Sequence, residues 1–156
     1  MSEIAFTKVG LPYGWLGNMA PYPIEYDGRM WRTTEALFQA LRFTDKGIQE
    51  KIRDQKSPMA AKMVAKAGRD QMTVKPLGPE DLGNMVLCLK LKLATHIQLK
   101  VLLLATGEAR IIEDCTNRPQ GTGLFWGAAK KDGVWVGENK LGVLWEQERA
   151  YTLTHL

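Results

Sequence analysis

The chain has two histidines and two cysteines among its 156 residues. His96 and His155 lie far apart in sequence, and Cys88 and Cys115 show no paired spacing. No Cys/His cluster for zinc and no Ser-His-Asp arrangement can therefore be read from spacing, and no disulfide framework is indicated. No metal or other cofactor is expected. The start Met-Ser-Glu-Ile lacks the basic and then apolar pattern of a secretory signal. Together with the sparse cysteines this points to a reducing, cytoplasmic setting. The longest unbroken apolar runs, Val101 to Ala105 among them, stop at five residues. A membrane helix needs about 20, so no membrane span is expected. Neither a GxGxxG nor a Walker pattern occurs, which leaves a dinucleotide-type phosphate fold without support.

What is present fits one folded domain. A chain of this length buries about two-thirds of its unfolded surface. Its 45% apolar and 24% charged residues are those of a globular protein rather than a disordered one. The net charge of +4 comes from 21 basic residues interspersed with 17 acidic ones. That balance permits an anionic partner without demanding one.

Punctuation by turn formers divides the chain. Pro21, Pro23, Asp27 and Gly28 bound short extended pieces such as Ile24 to Tyr26, which predicts a hairpin with its turn at Asp27-Gly28. Thr33 or Thr34 can cap a helix running to about Phe43, and a short helix around Ile48 to Arg53 follows. Ser57-Pro58 is a helix start with an acceptor at the cap and a fixed φ behind it, and Gly68 is the expected stop. Pro79 opens the main core helix, its stripe being Leu82, Val86, Leu89, Leu93 and Ile97. The alternation in Leu89 to Leu93 also fits a strand, but the longer spacing and the lack of β-branched residues favour helix. Further along, Lys100 to Ala105 reads as a buried helical turn or two, Arg110 to Glu113 and Gly133 to Gly137 as strands, and Leu141, Leu144, Trp145 and Glu148 as the stripe of a final helix. The fold class is α+β: a single, mainly helical domain over 1–156 with short strands and hairpins.

Three groups of residues can carry chemistry. On the first helix Glu35, Gln39 and Arg42 fall within about 60° of one another, beside the apolar arc of Leu37, Phe38 and Leu41. Glu35 sits in the first turn, where the helix dipole favours negative charge by about 0.3–1 kcal/mol. A carboxylate there either serves the helix alone or, beside a cleft, stabilises an oxocarbenium-like centre or orients a water. Lys62, Lys66 and Arg69 make a basic stripe at i, i+4 and i+7, either a solvated face or a phosphate seat. A lysine such as Lys62, in a partly desolvated cleft, can also attack an anomeric carbon or form a Schiff base. Between Asn117 and Asn139, five glycines interleave with Phe125, Trp126 and Trp135. Such a stretch is a turn-rich hairpin with core tryptophans, or a surface where backbone and aromatic faces approach a base.

Taken in order, these pieces resemble the NADAR, or YbiA-like, family. The resemblance rests on Leu16-Gly17-Asn18-Met19, Asp27-Gly28, Thr34 to Ala40, Ser57 to Lys62, Gly68-Arg69, Trp126-Gly127, and Gly137 to Gly142 ending in Arg149. It covers nearly the whole chain, and its weight lies in the order of the motifs.

The resemblance implies an N-glycosidase that cleaves a bond between ribose C1′ and a base nitrogen. It further implies either ADP-ribosylated guanine in DNA or a ribosylamino-pyrimidine phosphate of riboflavin synthesis as substrate. The family's catalytic glutamate falls on Glu35 and its stacking tryptophan on Trp126. Lys62 stands where many members are basic, Asn139 lies in the closing motif, and Asn18, Gln39, Arg42, Arg69 and Gly127 are the other expected substrate contacts. Three departures are visible. Ala36 replaces a usual histidine, Gly17 and Met19 replace serine and phenylalanine, and Gly123 stands where an aspartate precedes the Trp-Gly pair, within an inserted Arg118 to Thr122 segment. A second carboxylate then comes from Asp114 or Asp132, or the protein works without one. A non-catalytic ADP-ribose reader is the alternative that these departures keep open.

Overall fold

Residues 2–156 are described by a computed structural model. In chain order the elements are β1 (Glu3–Phe6), a 3-10 turn (Gly14–Leu16), β2 (Ile24–Tyr26), β3 (Arg29–Trp31), α1 (Thr34–Ala40), α2 (Lys46–Arg53), α3 (Pro58–Ala67), a second 3-10 turn (Arg69–Gln71), α4 (Pro79–Thr95), α5 (Ile97–Ala105), β4 (Arg110–Glu113), α6 (Gly123–Trp126), β5 (Ala129–Lys131), β6 (Val134–Val136) and α7 (Lys140–Thr154). This is the mainly helical α+β class expected. Asn18–His96 forms one compact unit, and the residues up to Gly17 together with Ile97–Leu156 form another.

In the unit from Asn18 to His96, local chemistry sets most boundaries. Asp27 and Gly28 adopt φ of 56° and 74°. Two consecutive left-handed residues make the hairpin turn that matches strand twist, so β2 and β3 pair antiparallel with Ile24 opposite Trp31. The Thr33 hydroxyl accepts from the Ala36 amide at 3.1 Å and starts α1. Asp45 and Ser57 do the same for α2 and α3, accepting from Ile48 and Ala60. All seven residues of α1 are buried, with α2, α3 and α4 packed around it.

The buried face of α4 differs from the expected stripe. It consists of Asp81, Met85, Cys88, Leu89, Lys92 and Leu93, while Leu82 and Val86 are only half-buried. His96, at φ −115° and ψ 80°, ends the helix, so Ile97 opens α5 and is exposed. Apolar spacing had shifted the face by about one residue, because two of its true members are charged and gain no weight in a hydrophobic count.

In the other unit, β1 pairs in parallel with β4, Ile4 opposite Ile111. The helix α7 lies on β4 and approaches it most closely at Gly142, where an added Cβ would run into the Ile111 carbonyl and the Asn139 side chain. Trp145 is fully buried and donates its Nε1 proton to the Leu16 carbonyl at 2.9 Å. The expected burial of Lys100 to Ala105 is corrected: α5 buries Leu99 and Leu103, and Val101 is 64% exposed. Asp132 and Gly133, both at positive φ, turn β5 back into β6; patterning had indicated only the second of these strands. Among the described residues no helix is long and apolar enough to cross a membrane.

Candidate active site

The first turn of α1 places Glu35. The carbonyl of Asn18 accepts the Glu35 amide proton at 3.0 Å and the Thr34 hydroxyl at 3.0 Å. The Asn18 side chain reaches Met85 Sδ on α4 and lies 3.3 Å from the Thr34 hydroxyl. Asn18 thus satisfies one of the orphan amides at the helix start and ties the start of α1 to α4. Its position makes it an organiser of Glu35.

Glu35 is buried to 9% exposure. Its Oε2 accepts from Gln39 Nε2 at 2.6 Å, one turn along the helix. No buried side-chain oxygen among the described residues lacks a partner, and Oε1 takes none. Oε1 is therefore the part of Glu35 that meets solvent.

Behind Gln39 the chain of contacts continues inward. Gln39 Oε1 accepts from Arg42 at 3.4 Å, and Arg42 makes a two-point pair with Asp81, Nε to Oδ1 at 2.9 Å and Nη2 to Oδ2 at 2.7 Å. Asp81 is wholly enclosed and also accepts the Leu77 amide. Its backbone neighbour needs that hold, since Leu77 sits at φ 67°. Such a fork locks the guanidinium plane. The three residues are thus brought together in the order Glu35, Gln39, Arg42, although α1 ends at Ala40 rather than near Phe43 and Arg42 lies in the turn beyond it, held by both Asp81 and Gln39.

The expected lysine, Lys62, is not in a desolvated cleft. Lys62 and Lys66 on α3 and Arg69 beyond it are exposed, and Arg69 donates to the Lys66 carbonyl. The desolvated environment that Schiff-base chemistry requires belongs to Lys92 on α4. Burial pulls its amine down to about 7, and its Nζ lies 5.3 Å from the centroid of the Tyr22 ring. One turn earlier, burial pushes the Cys88 thiol up, and the Glu35 and Asp81 carboxylates push the same way. Hydrophobic periodicity had no means of finding Lys92; the only signal was a lysine at the spacing of the buried positions Asp81, Cys88 and Leu89. A surface hollow lined by Pro23, Met30, Trp31, Arg32, Arg53 and Asp54 contains none of the candidate residues, and its Arg32 is occupied by the carbonyls of residues 53 to 55.

The remaining candidates share the other unit. Trp126 is buried and meets Phe125 edge to face, ring centroids 5.0 Å apart. Gly127 is glycine for a packing reason, since a Cβ there would strike the Glu113 carbonyl. Asn139, at φ 52°, accepts the Glu113 amide at 2.9 Å and donates to the Ile111 carbonyl at 2.8 Å. Both ends of its side chain are therefore used on β4. Of the carboxylates considered for the missing aspartate, Asp114 accepts from the Thr116 amide and hydroxyl, and Asp132 is exposed in the β5–β6 turn. The acid beside Trp126-Gly127 is Glu113, whose Cβ and Cγ would lie 3.2 Å from a Cβ at Gly127.

Known proteins resemble this chain along most of its length. The NADAR domain model matches residues 5–151. N-glycosidase YbiA of Escherichia coli is 37% identical over 145 residues, which are 90% of this chain and 82% of that protein. An N-glycosidase of Nostoc punctiforme is 30% identical, covering 97% of this chain and 96% of its own length. The NMR structure of the E. coli YbiA protein superposes with a TM-score of 0.77 at 34% identity, over 99% of this chain and 86% of that one. The chain belongs to the NADAR family and is an N-glycosidase.

Proposed function

We propose that the bond cleaved joins ribose C1′ of an ADP-ribosyl group to a guanine base in DNA, in the cytoplasm, with Glu35 as the catalytic carboxylate. The observation behind this reading is the asymmetry of Glu35: one oxygen held by Gln39 at 2.6 Å, the other turned to solvent. A carboxylate fixed in this way can stabilise positive charge growing at C1′ and orient the water that completes hydrolysis. For the polymer rather than a small ribosylated pyrimidine, the support is charge distribution. The unit carrying Glu35 has thirteen lysines and arginines against nine acids, whereas the other unit is balanced at eight and eight.

Lys92 favours a covalent variant of the same reaction. An amine at about 7 is roughly half neutral at neutral pH, and only the neutral form attacks an anomeric carbon. On this reading Lys92, and not the exposed Lys62, is the nucleophile, and borohydride treatment during turnover would trap a protein–ribose adduct.

The test is incubation with an oligonucleotide carrying ADP-ribosyl-guanine, with release of ADP-ribose followed by mass spectrometry. Release by the wild type and its loss in a folded Glu35→Gln variant are expected. Full activity in that variant would refute the role of Glu35. Turnover of ribosylamino-pyrimidine phosphates alone would assign the small-molecule substrate, and ADP-ribose binding without release would make the protein a reader.

A further inference from the structure

The outward face of α3 combines two chemistries that rarely share an exposed surface. Met59, Lys62, Met63 and Lys66 fall at i, i+3, i+4 and i+7 and so lie on one face, with Met59 42% and Met63 54% exposed. The opposite face packs Ala61 and Ala65 inward, against α1 and α2. The ammonium groups here have no acidic partner among the described residues. Elsewhere on this unit several cations are engaged: Lys46 pairs with Asp27, and Arg29 and Arg53 pair with Glu50, whose carboxyl they hold down to about 2, while Lys51 and Lys75 are exposed without an ion pair among the described residues. From Lys46 to Arg69 there are seven basic residues and only two acids, Glu50 and Asp54, both close to those arginines in sequence. Lys56, Lys62, Lys66 and Arg69 thus put four exposed cations without an acidic partner among the described residues on α3 and its flanks.

We infer that the Met59–Lys62–Met63–Lys66 face of α3 is the docking surface for a single-stranded nucleic acid, with the lysines on its phosphates and the methionine side chains against its unstacked bases. This rests on the polymer-substrate reading above and specifies how the polymer is held. A second copy of this chain is not the occupant, because the same basic face would repel it. A duplex offers the lysines its phosphates but keeps its bases stacked away from the methionines, whereas a single strand uses both. Polarizable, unbranched methionine adapts to different bases without selecting among them. At 1.5 Å per residue α3 is about 15 Å long, room for only a few nucleotides of an unstacked strand. The inner face of α3 packs directly on the helix that carries Glu35, so a strand on the outer face of α3 is separated from that carboxylate by the thickness of α3 itself.

The experiment is fluorescence anisotropy of a short, unmodified, labelled single strand titrated with full-length protein between about 50 and 200 mM salt. The wild type is compared with Met63→Glu/Lys66→Glu and with the milder Met63→Ser/Lys66→Gln. Binding should fall on the order of tenfold or more in the charge-reversed protein, with the salt slope lower by about 0.7 for each phosphate contact removed. Release of ADP-ribose from an ADP-ribosylated guanosine nucleoside should be unchanged in both variants. A duplex of the same sequence should bind more weakly. Equal strand binding by wild type and variants would overturn the inference and leave the glycosidase reading intact. No salt-dependent binding by the wild type, or preference for the duplex, would overturn it as well. Strand binding that depends on α3 in a protein that releases no ADP-ribose would instead refute the catalytic reading while upholding this one.

Discussion

Gln39 donates to Glu35 Oε2 across 2.6 Å while its own carbonyl faces the guanidinium of Arg42. An ionised carboxylate only accepts and a guanidinium only donates, so Glu35 and Arg42 require the same orientation of the Gln39 amide from its two ends, and the fork with Asp81 holds Arg42 in place for it. Replacing Gln39 by Ala should free the carboxylate to rotate and slow ribose release about ten- to a hundredfold. The stability cost should stay near 1 kcal/mol. Single-turnover release together with a urea melt separates the two effects.

Asp81 supports that arrangement from the interior. Asp81→Ala would leave the Arg42 guanidinium buried without its counter-charge and the Leu77 amide without its acceptor. A loss of about 3–5 kcal/mol is expected, seen as a fall in the urea midpoint. A shift below about 1 kcal/mol would mean that the pair is effectively solvated.

Lys92 makes stability depend on pH in a definite direction. Its folded-state value of about 7 lies below the unfolded value of 10.5, so between those limits the unfolded chain binds the extra proton and stability rises with pH. Below about pH 7 both states are charged, and the cost of burying the ammonium is fully present. Lys92→Met should therefore be stabilising by a few kcal/mol near pH 6, with the advantage shrinking towards pH 10. Urea midpoints of both proteins at several pH values measure this. If Lys92 is the nucleophile, the same variant loses turnover, and the wild-type rate profile has a limb near pH 7 that the variant lacks.

Two helical glycines should respond oppositely to alanine. Nothing lies within 4 Å of a Cβ built on Gly83 in α4, so Gly83→Ala is expected to stabilise by about 0.5–1 kcal/mol. At Gly142 the same methyl collides with the Ile111 carbonyl and with Asn139, forcing α7 away from β4 at a cost of about 1–3 kcal/mol or more. Thermal melts of the two variants decide it.

The sequence by itself determined those features whose cause is local. Thr33, Asp45 and Ser57 cap their helices because the side chain and the amide it accepts are three residues apart, and Asp27-Gly28 turns because both residues tolerate positive φ. The pairing of Glu35 with Gln39 was legible for the same reason, being a matter of helical angle, whereas Arg42 lies in the turn past Ala40. Tertiary structure decided what depends on distant segments meeting. Arg42 finds Asp81 39 positions away, Asn18 reaches Met85 67 positions away, and β1 finds β4 only after the whole of Asn18–His96 has intervened. It also decided which lysine is chemically unusual. Lys62 and Lys92 are the same residue, each on a helix, and only burial, which no spacing rule assigns to a charged side chain, lowers the affinity of one of them for its proton.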